Sequence, residues 1–392
     1  MVFRKFLLMI VLAVPAAAAF SLHPVRPGSY DMDAYLPLLS GKRVAVVANH
    51  TSLVEKTHLV DTLLARGVKI VRIFCPEHGF RGEVAEGRTV QDQTDTRTGL
   101  PIVSLYGKRK KPLPEDLADV DVVVFDIQDV GVRFYTYIST LHLVMEACAE
   151  QDKPVVVLDR PNPNGFYVDG PVLDTAYRSF VGMDPIPVVY GMTIGEYAKM
   201  VNGEGWLAGG VRCDLTVIPC RNYTHRTYYE LPVRPSPNLP TMRSVYLYPS
   251  LCFFEGTIMS VGRGTDFPFE VYGHPEYPNH MFSFKPEPKA GASSNPKYNG
   301  QVCYGVDLRN IPIKFLRDNK HLVLDWLLDA YKEMNKGEEF FNAYFVKLAG
   351  TDQLQKQIMD GKDKYTIRAS WKKELEAFKT IRKRYLLYPD FE

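Results

Sequence analysis

Chemically versatile side chains recur directly after apolar runs in the first half of this 392-residue chain. The stretch CPEHGFRG places Glu77, His78 and Arg81 immediately after the run VKIVRIF at residues 68–74. Three further runs are followed by, or end in, another set of polar and aromatic residues: Asn49, His50, Asp126, Gln128, Arg133, Tyr135, Arg160, Asn162 and Asn164. Because ligands bind outside the carboxyl ends of the strands in an open parallel sheet, we expect these side chains to converge on one site.

Glu77 is the best candidate for acid chemistry in this set. It stands at a predicted strand tip beside Pro76, and Gly79 and Gly82 would let the backbone come close to a ligand. A carboxylic acid in a groove with amides, arginines and tyrosines suits glycoside hydrolysis, in which an acid protonates the leaving oxygen. The reaction also needs a second carboxylate or a nucleophile on the substrate, such as the acetamido oxygen of an N-acetylated sugar.

Structural roles for the same residues stay open at this stage. The residues Asn and Gly in RPNPNG, residues 160–165, are typical of a turn because they tolerate positive φ. Asp126 lies inside an apolar run, where a buried carboxylate needs hydrogen bonds, so it could anchor loop amides instead of substrate. His50 and His78 could likewise be structural histidines.

Several other kinds of site have no support in the sequence. It contains neither a G-x-x-x-x-G-K-[ST] nor a G-x-G-x-x-G motif, and it lacks the patterns G-x-S-x-G and H-E-x-x-H. A zinc site would require the fold to bring His50, His78 and Asp126 together. We therefore predict no cofactor and no metal, and a metal-dependent esterase or amidase stays an alternative function.

The elements that must position these residues alternate along the chain between residues 43 and 220. Apolar runs typical of strands lie at residues 43–49, 68–74, 101–107, 121–128 and 153–160. Helical patterns lie at residues 57–67, 114–120, 138–148 and 193–206. Near-continuous valine and isoleucine runs between helices are typical of a parallel sheet covered on both faces, which predicts an α/β, Rossmann-like domain.

The pattern changes at the proline-rich segment LPVRPSPNLP, residues 231–240. A loop-rich stretch follows to about residue 300, and mostly helical patterns run from 321 to 385. These features predict a smaller C-terminal α+β auxiliary domain. We place the Rossmann-like catalytic domain at residues 20–240 and the auxiliary domain at residues 241–392.

The N-terminal segment MVFRKFLLMIVLAVPAAAAF is typical of a secretory signal peptide, with cleavage expected after Ala19. Without residues 1–19, which contain two basic and no acidic residues, 45 basic residues face 45 acidic ones. A neutral protein is a poor candidate for binding nucleic acid or anionic membranes. We predict an exported protein, periplasmic or secreted, with no stable membrane anchor. Whether Cys213 and Cys220 form a disulfide stays open.

Five ordered motifs carry a resemblance to a known family: VANHTS, PEHGFRG, FDIQDVGVRFYTYI, LDRPNPNG and FEGTIMSVGRGTDFPFE. In this order they resemble the NamZ-type exo-β-N-acetylmuramidases of bacterial peptidoglycan turnover. The resemblance implies a Rossmann-like domain, a smaller auxiliary domain and a cleft between them. It implies an enzyme that removes N-acetylmuramic acid (MurNAc) from non-reducing ends of peptidoglycan fragments, without a metal or organic cofactor.

The resemblance maps the family's catalytic glutamate to Glu77, which we predict to be the general acid. Tyr135, Asp126 and Glu255 are candidates for the second catalytic group, and retaining and inverting mechanisms both stay open. Glu255 is either this second acid or a partner in an interdomain ion pair. Arg263 and Asp266, beside two glycines, are predicted to form a tight loop that faces the cleft.

The lactyl carboxylate of MurNAc requires a positively charged anchor in an exo-acting site. A guanidinium can bind a carboxylate through two parallel hydrogen bonds. Four arginines are candidates for this role: Arg81, Arg133, Arg160 and Arg263. We predict that the chain is an exo-glycosidase acting on MurNAc-terminated peptidoglycan oligosaccharides. A non-catalytic periplasmic protein that binds cell-wall sugars is the alternative from a different class.

Overall fold

The computed structural model describes residues 24–77, 79–81 and 93–392. The predicted signal peptide at residues 1–19 and His78 lie outside these residues. Within them, the α-helices are α1 (Met32–Leu39), α2 (Leu59–Ala65), α3 (Pro114–Leu117), α4 (Tyr137–Glu150), α5 (Ile194–Glu204), α6 (Met242–Leu251), α7 (Ile313–Asn319), α8 (Asp325–Met334), α9 (Phe345–Ala349), α10 (Gln353–Met359) and α11 (Lys364–Arg382). The β-strands are β1 (Arg43–Ala48), β2 (Leu53–Val54), β3 (Thr57–His58), β4 (Lys69–Cys75), β5 (Gln93–Thr94), β6 (Pro101–Ser104), β7 (Val122–Asp126), β8 (Val155–Leu158), β9 (Asp169–Val172), β10 (Pro187–Val189), β11 (Leu215–Ile218), β12 (Val271–His274), β13 (Ser283–Phe284) and β14 (Cys303–Asp307).

Seven of these strands form one sheet in the order β11-β8-β7-β1-β4-β6-β5. All neighbours pair in parallel except β5, which is antiparallel to β6. Strands β7 and β8 are buried at every position because helices cover both faces of the sheet, as their valine-rich sequences indicate. The chain moves outward from β1 first through β4 and β6 and then through β7, β8 and β11. This is the Rossmann order, so the predicted Rossmann-like α/β fold is confirmed.

The C-terminal part of the chain contains the antiparallel sheet β12-β14-β13 and the helices α7 to α11. One continuous hydrophobic core joins it to the Rossmann-like sheet, because the same cluster extends from Ala45 and Val47 in β1 to Phe378 in α11. The predicted domain boundary at residues 240 and 241 falls just before α6 and stays a prediction. Among the described residues, no helix has the length and apolarity needed to cross a bilayer.

The buried side chain of Arg133 links the Rossmann-like part of the chain to the C-terminal part through hydrogen bonds. Its Nη1 donates to the carbonyls of Pro171 and Ile186, each at 2.8 Å, and its Nη2 donates to those of Leu348 and Ala349 at 2.8 and 2.7 Å. The side chain is completely buried, and burial lowers its pKa to about 9. The predicted role of Arg133 as a carboxylate anchor is therefore not supported by its position, because the guanidinium is enclosed by protein carbonyls.

The local predictions agree with the observed elements at the predicted positions between residues 43 and 206, but they miss α1, α6 and several short strands. The predicted helix at 57–67 begins only at Leu59, since Thr57 and His58 pair with β2 as a short hairpin. The sequence pattern does not identify strand β11. This strand lies at the sheet edge, and two of its four residues are half-exposed, so it lacks a continuous apolar run. Cys213 and Cys220 are buried free thiols and form no disulfide.

Candidate active site

Two adjoining spaces lie beyond the end of β4, between the Rossmann-like sheet and the C-terminal part of the chain. The inner pocket has a volume of about 60 Å³, and its lining includes the polar residues Ser236 and Asn238 and the aromatic residues Phe134, Tyr135, Tyr137, Tyr248 and Phe269. The outer chamber has a volume of about 450 Å³, and its wall includes Tyr106, Lys110, Phe180, Glu255, Tyr344 and Lys347. Five residues line both spaces: Glu77, Phe134, Thr136, Tyr248 and Arg263.

Local sequence places Glu77 at this junction. Strand β4 ends at Cys75, and Pro76 has no N–H with which to continue the sheet hydrogen bonding. Gly79, with a φ of 76°, donates its N–H to the Pro76 carbonyl at 3.1 Å and so closes a tight turn. The half-buried Glu77 side chain leaves this turn toward the first residues of α4, where Thr136 Oγ1 donates to Glu77 Oε2 at 3.3 Å.

The two carboxylates that line the outer chamber have different partners. Glu255 accepts hydrogen bonds from Arg263 Nε at 2.6 Å and from Arg263 Nη2 at 3.1 Å, which makes a two-point ion pair. Within the described residues, Glu77 has the Thr136 hydroxyl as its side-chain donor and forms no ion pair with a lysine or arginine. Glu77 is thus the carboxyl in this chamber that is available to exchange a proton with a ligand.

Tyr135 and Tyr137 form the wall of the inner pocket beside Glu77. Their ring centroids lie 4.8 Å apart, and the Tyr135 hydroxyl donates to the Pro235 carbonyl at 2.8 Å. Burial raises the pKa of Tyr135 well above its usual value, and the charges of Asp129 and Glu77 raise it further. The neutral phenol is therefore favoured, so Tyr135, a candidate for the second catalytic group, is better suited to donate a hydrogen bond than to act as an anionic nucleophile.

Comparison with known proteins identifies the family. The model of the N-terminal domain of exo-β-N-acetylmuramidase NamZ matches residues 44–243, and the model of the C-terminal domain matches residues 246–388. The chain belongs to the NamZ family of exo-β-N-acetylmuramidases. This membership confirms the resemblance inferred from the motifs, and with it the prediction that the chain is a glycoside hydrolase.

Individual members and solved structures support the assignment to the NamZ family. The chain is 40% identical over 376 residues to the peptidoglycan β-N-acetylmuramidase NamZ of Bacillus subtilis (strain 168), covering 90% of this chain and 89% of that one. A crystal structure of a DUF1343 family protein from Bacteroides fragilis NCTC 9343 matches with a TM-score of 0.87 and 49% identity, over 94% of this chain and 100% of that one. A second protein of that family from the same strain matches with a TM-score of 0.81 and 29% identity, over 93% of this chain and 99% of that one.

Asp126 and Arg160 do not line the cavity of this NamZ family member. Arg160 Nε and Nη2 donate to the two carboxylate oxygens of Asp126 at 2.5 and 2.8 Å, and both side chains are buried. Arg160 Nη2 also donates to the Leu53 carbonyl at 3.0 Å. The pair joins the ends of the neighbouring strands β7 and β8, so its position indicates a structural role instead of the predicted catalytic and anchoring ones.

The four predicted amides are also buried away from the cavity, and each supports a loop. Asn49 Oδ1 accepts hydrogen bonds from the N–H and hydroxyl of Thr51 at 2.9 and 2.6 Å. Gln128 Nε2 donates to the Asp129 and Pro161 carbonyls, both at 2.8 Å. In the same way, Nδ2 of Asn162 and Nδ2 of Asn164 donate to the carbonyls of Met192 and Val130, respectively. None of the four lines either space of the cavity, which lies beyond the end of β4.

The remaining predicted residues lie in other places. His50 and Arg81 line a separate shallow pocket, where Arg81 is paired through two hydrogen bonds with Asp95 at 2.9 and 2.8 Å. Asp266 is exposed on the surface and paired with Lys289. The described residues contain no group of three side chains that could hold a metal ion, and Asp126, one ligand of the alternative zinc site, is paired with Arg160. Any contribution of His78 lies outside the described residues.

Several cavity residues give no signal in the sequence. Tyr248 lies in α6 and Tyr344 just before α9, where aromatic residues are typical of helix packing. Lys110 belongs to the basic run KRKK, residues 108–111, which is typical of a solvated loop. Their approach to Glu77 depends on how distant segments pack, and no local pattern records that packing.

Asp129 is a buried carboxyl close to the tyrosines of the inner pocket, and it makes the stability of the protein depend on pH. It accepts hydrogen bonds from the Tyr190 hydroxyl at 2.5 Å and from the Gly131 N–H at 2.6 Å, and burial raises its pKa from 3.8 to about 6. The folded state therefore keeps a proton that the unfolded state has lost between these pH values. We expect this group to lower the free energy of unfolding by about 1.4 kcal/mol per pH unit as the pH rises through this window.

The substitution Asp129→Asn should remove that dependence, because the asparagine oxygen accepts the same two hydrogen bonds without titrating. Urea unfolding of both proteins between about pH 4 and 6 measures the difference in slope. Parallel pH profiles for the two proteins would contradict the assignment.

Proposed function

We propose that the chain is an exo-acting β-N-acetylmuramidase that releases MurNAc from the non-reducing ends of peptidoglycan fragments, with Glu77 as the general acid. The observation that carries the proposal is the position of Glu77, at the junction of the inner pocket and the outer chamber and without a cationic partner among the described residues. The export predicted from residues 1–19 would bring the enzyme to this substrate.

In the proposed chemical step, Glu77 donates the proton to the leaving oxygen. The bond between the anomeric carbon and the leaving oxygen breaks, its electron pair stays on that oxygen, and the Glu77 proton moves there. The positive charge that develops on the sugar must then be met by a nucleophile or a base. Glu255, oriented by Arg263, and the acetamido oxygen of the substrate are the candidates that the cavity leaves in reach, because Asp126 is enclosed and Tyr135 is held as a neutral phenol.

The size of the inner pocket supports an N-acetylated sugar. Compared with the outer chamber of about 450 Å³, the inner pocket is small, at about 60 Å³. Its aromatic walls suit a small group with an apolar end, such as the methyl of an acetamido substituent. The sugar ring itself fits the outer chamber, where Tyr106, Phe180 and Tyr344 offer faces for stacking.

The Bacillus subtilis relative supports the choice of substrate, since it is a peptidoglycan β-N-acetylmuramidase and the similarity covers nearly its whole length. We expect the purified protein to release 4-nitrophenol from its β-MurNAc glycoside and free MurNAc from a MurNAc-GlcNAc disaccharide. Mass spectrometry of the products should show monosaccharide release from chain ends and no internal cleavage. In fractionated cells, the activity should accompany the exported proteins.

Two outcomes would contradict this proposal. Binding of MurNAc glycosides without turnover would favour the non-catalytic sugar-binding protein. Cleavage within long glycan strands, with oligosaccharides as the first products, would contradict exo action. A β-GlcNAc glycoside serves as the matched control substrate, because it differs from the MurNAc glycoside only by the lactyl group.

A further inference from the structure

The basic run KRKK, residues 108–111, is divided by the fold into side chains with different roles. Arg109 Nη1 donates to Asp116 Oδ2 at 3.3 Å, and Lys111 Nζ pairs with Glu146 and Glu150, each at 2.7 Å. Lys110, between them, turns the other way and lines the outer chamber. This exposed residue is therefore part of the cavity wall.

Lys110 and Lys347 bring two ammonium groups to the same chamber from distant parts of the chain. The Lys110 ammonium lies 4.5 Å from the centroid of the Phe180 ring, and this cation–π contact holds it at the chamber wall. Lys347 reaches the chamber from α9. Neither ammonium forms an ion pair with an acidic side chain in the described part of the chain.

Among the described residues of the chamber, these two lysines have no compensating carboxylate. That part of the lining contains two carboxyl groups, Glu77 and Glu255, and three cations, Lys110, Arg263 and Lys347. Arg263 offsets Glu255 in their ion pair, and Glu77 carries no charge when it is protonated for catalysis. A concave, partly apolar wall with two excess positive charges attracts anionic ligands.

The arginines predicted as carboxylate anchors already have partners within the protein. Each of the four binds a protein carboxylate or, in one case, protein carbonyls: Arg81, Arg133, Arg160 and Arg263. Among the described residues of the chamber lining, Lys110 and Lys347 are the cations without such a partner.

We propose that Lys110 and Lys347 together bind a carboxylate of the substrate; this inference rests on the proposed function. A lysine ammonium acts as a point charge and, unlike a guanidinium, imposes no planar two-point geometry. The pair can therefore meet the lactyl carboxylate of an unsubstituted MurNAc. It can equally meet a carboxylate of a peptide stem, in which the lactyl carboxyl has become an amide.

The test measures binding of free MurNAc and free GlcNAc by calorimetry, which requires no turnover. The variants are Lys110→Met, Lys347→Met and the double variant. Lys108→Met is the matched control, from the same basic run but outside the chamber lining. Each single variant should bind MurNAc about tenfold more weakly, as expected for the loss of one hydrogen bond to a charged group, and GlcNAc affinity should change less than about twofold. Lys110→Arg and Lys347→Arg should restore most of the MurNAc affinity.

Two further ligands identify the source of the carboxylate. If the lysines bind the lactyl group, N-acetylmuramoyl amide should bind as weakly as GlcNAc and should not respond to the substitutions. If they bind a stem, N-acetylmuramoyl-alanyl-isoglutamine should bind more tightly than the amide in the parent protein, and the double variant should lose this difference.

The proposal would be overturned if the double variant kept, within about twofold, the parent affinity for both MurNAc and N-acetylmuramoyl-alanyl-isoglutamine, whether or not the enzyme hydrolyses MurNAc glycosides. Conversely, lysine-dependent MurNAc binding by a protein that hydrolyses no such glycoside would support the carboxylate site and contradict the proposed function. The two ideas therefore fail in different measurements.

Discussion

Replacing Glu77 by glutamine is expected to lower kcat on a MurNAc-GlcNAc disaccharide by about 10³-fold, the usual range for the loss of a positioned general acid. Glutamine fills the same space and can accept the Thr136 hydrogen bond, but it has no proton to give to the leaving oxygen. The sugar hydroxyl is a poor leaving group and depends strongly on that proton. The loss should be much smaller on the 4-nitrophenyl glycoside, because 4-nitrophenolate leaves without protonation.

The comparison of the two substrates makes this prediction specific. Steady-state kinetics on both, together with thermal unfolding, separates a chemical defect from a folding defect. Glu115→Gln, an exposed glutamate in α3, is the matched control and should leave both rates unchanged. Disaccharide turnover in Glu77→Gln within about tenfold of the parent rate would remove Glu77 from the role of general acid.

Asp126→Asn is expected to lower the free energy of unfolding by about 3–5 kcal/mol, as found when one partner of a buried ion pair is removed. The Arg160 side chain is expected to stay buried after the substitution, because it also donates to the Leu53 carbonyl and is enclosed at the end of β8. Its charge would then stay buried without a carboxylate. Urea unfolding monitored by circular dichroism measures the loss.

Two controls decide whether Asp126 acts in structure or in catalysis. The double variant Asp126→Leu, Arg160→Met should regain part of the lost stability, because it removes both charges and fills the space with apolar groups. Folded Asp126→Asn should keep a kcat close to that of the parent protein, because Asp126 does not line the cavity. A stable but inactive Asp126→Asn variant would instead place this carboxylate in the reaction.

Sequence patterns were sufficient to predict the central strands of the sheet, because these strands are buried on both faces. The runs at Val44, Val122 and Val155 are apolar at nearly every position, and together with the helices between them they specify a parallel sheet. Glu77 could be found for a related reason. It follows a strand that can be recognised, and the cavity lies beyond the carboxyl end of that strand.

The same reasoning could not separate substrate contacts from internal ones. Asp126 and Arg160 also follow strands that can be recognised, yet β7 and β8 are neighbours in the sheet, so the two side chains bind each other. Whether a polar residue at a strand end faces a ligand or another residue depends on the strand order and on what packs above it. Lys347, in contrast, lines the chamber but could not be predicted to do so. It lies 270 residues beyond Glu77 and reaches the chamber only through tertiary packing.

Arg133 has a consequence for how the enzyme meets its substrate. Gly350, where a Cβ atom would lie 2.7 Å from Arg133 Nη2, leaves room for the guanidinium between the carbonyls that it joins. Phe134 on one wall of the chamber follows Arg133 directly in the chain, and Leu348 on the other wall accepts its hydrogen bond. The Arg133 guanidinium thus ties two segments of the chamber lining to each other from inside the core. Lining segments that are held in place before a ligand arrives cost less to order on binding.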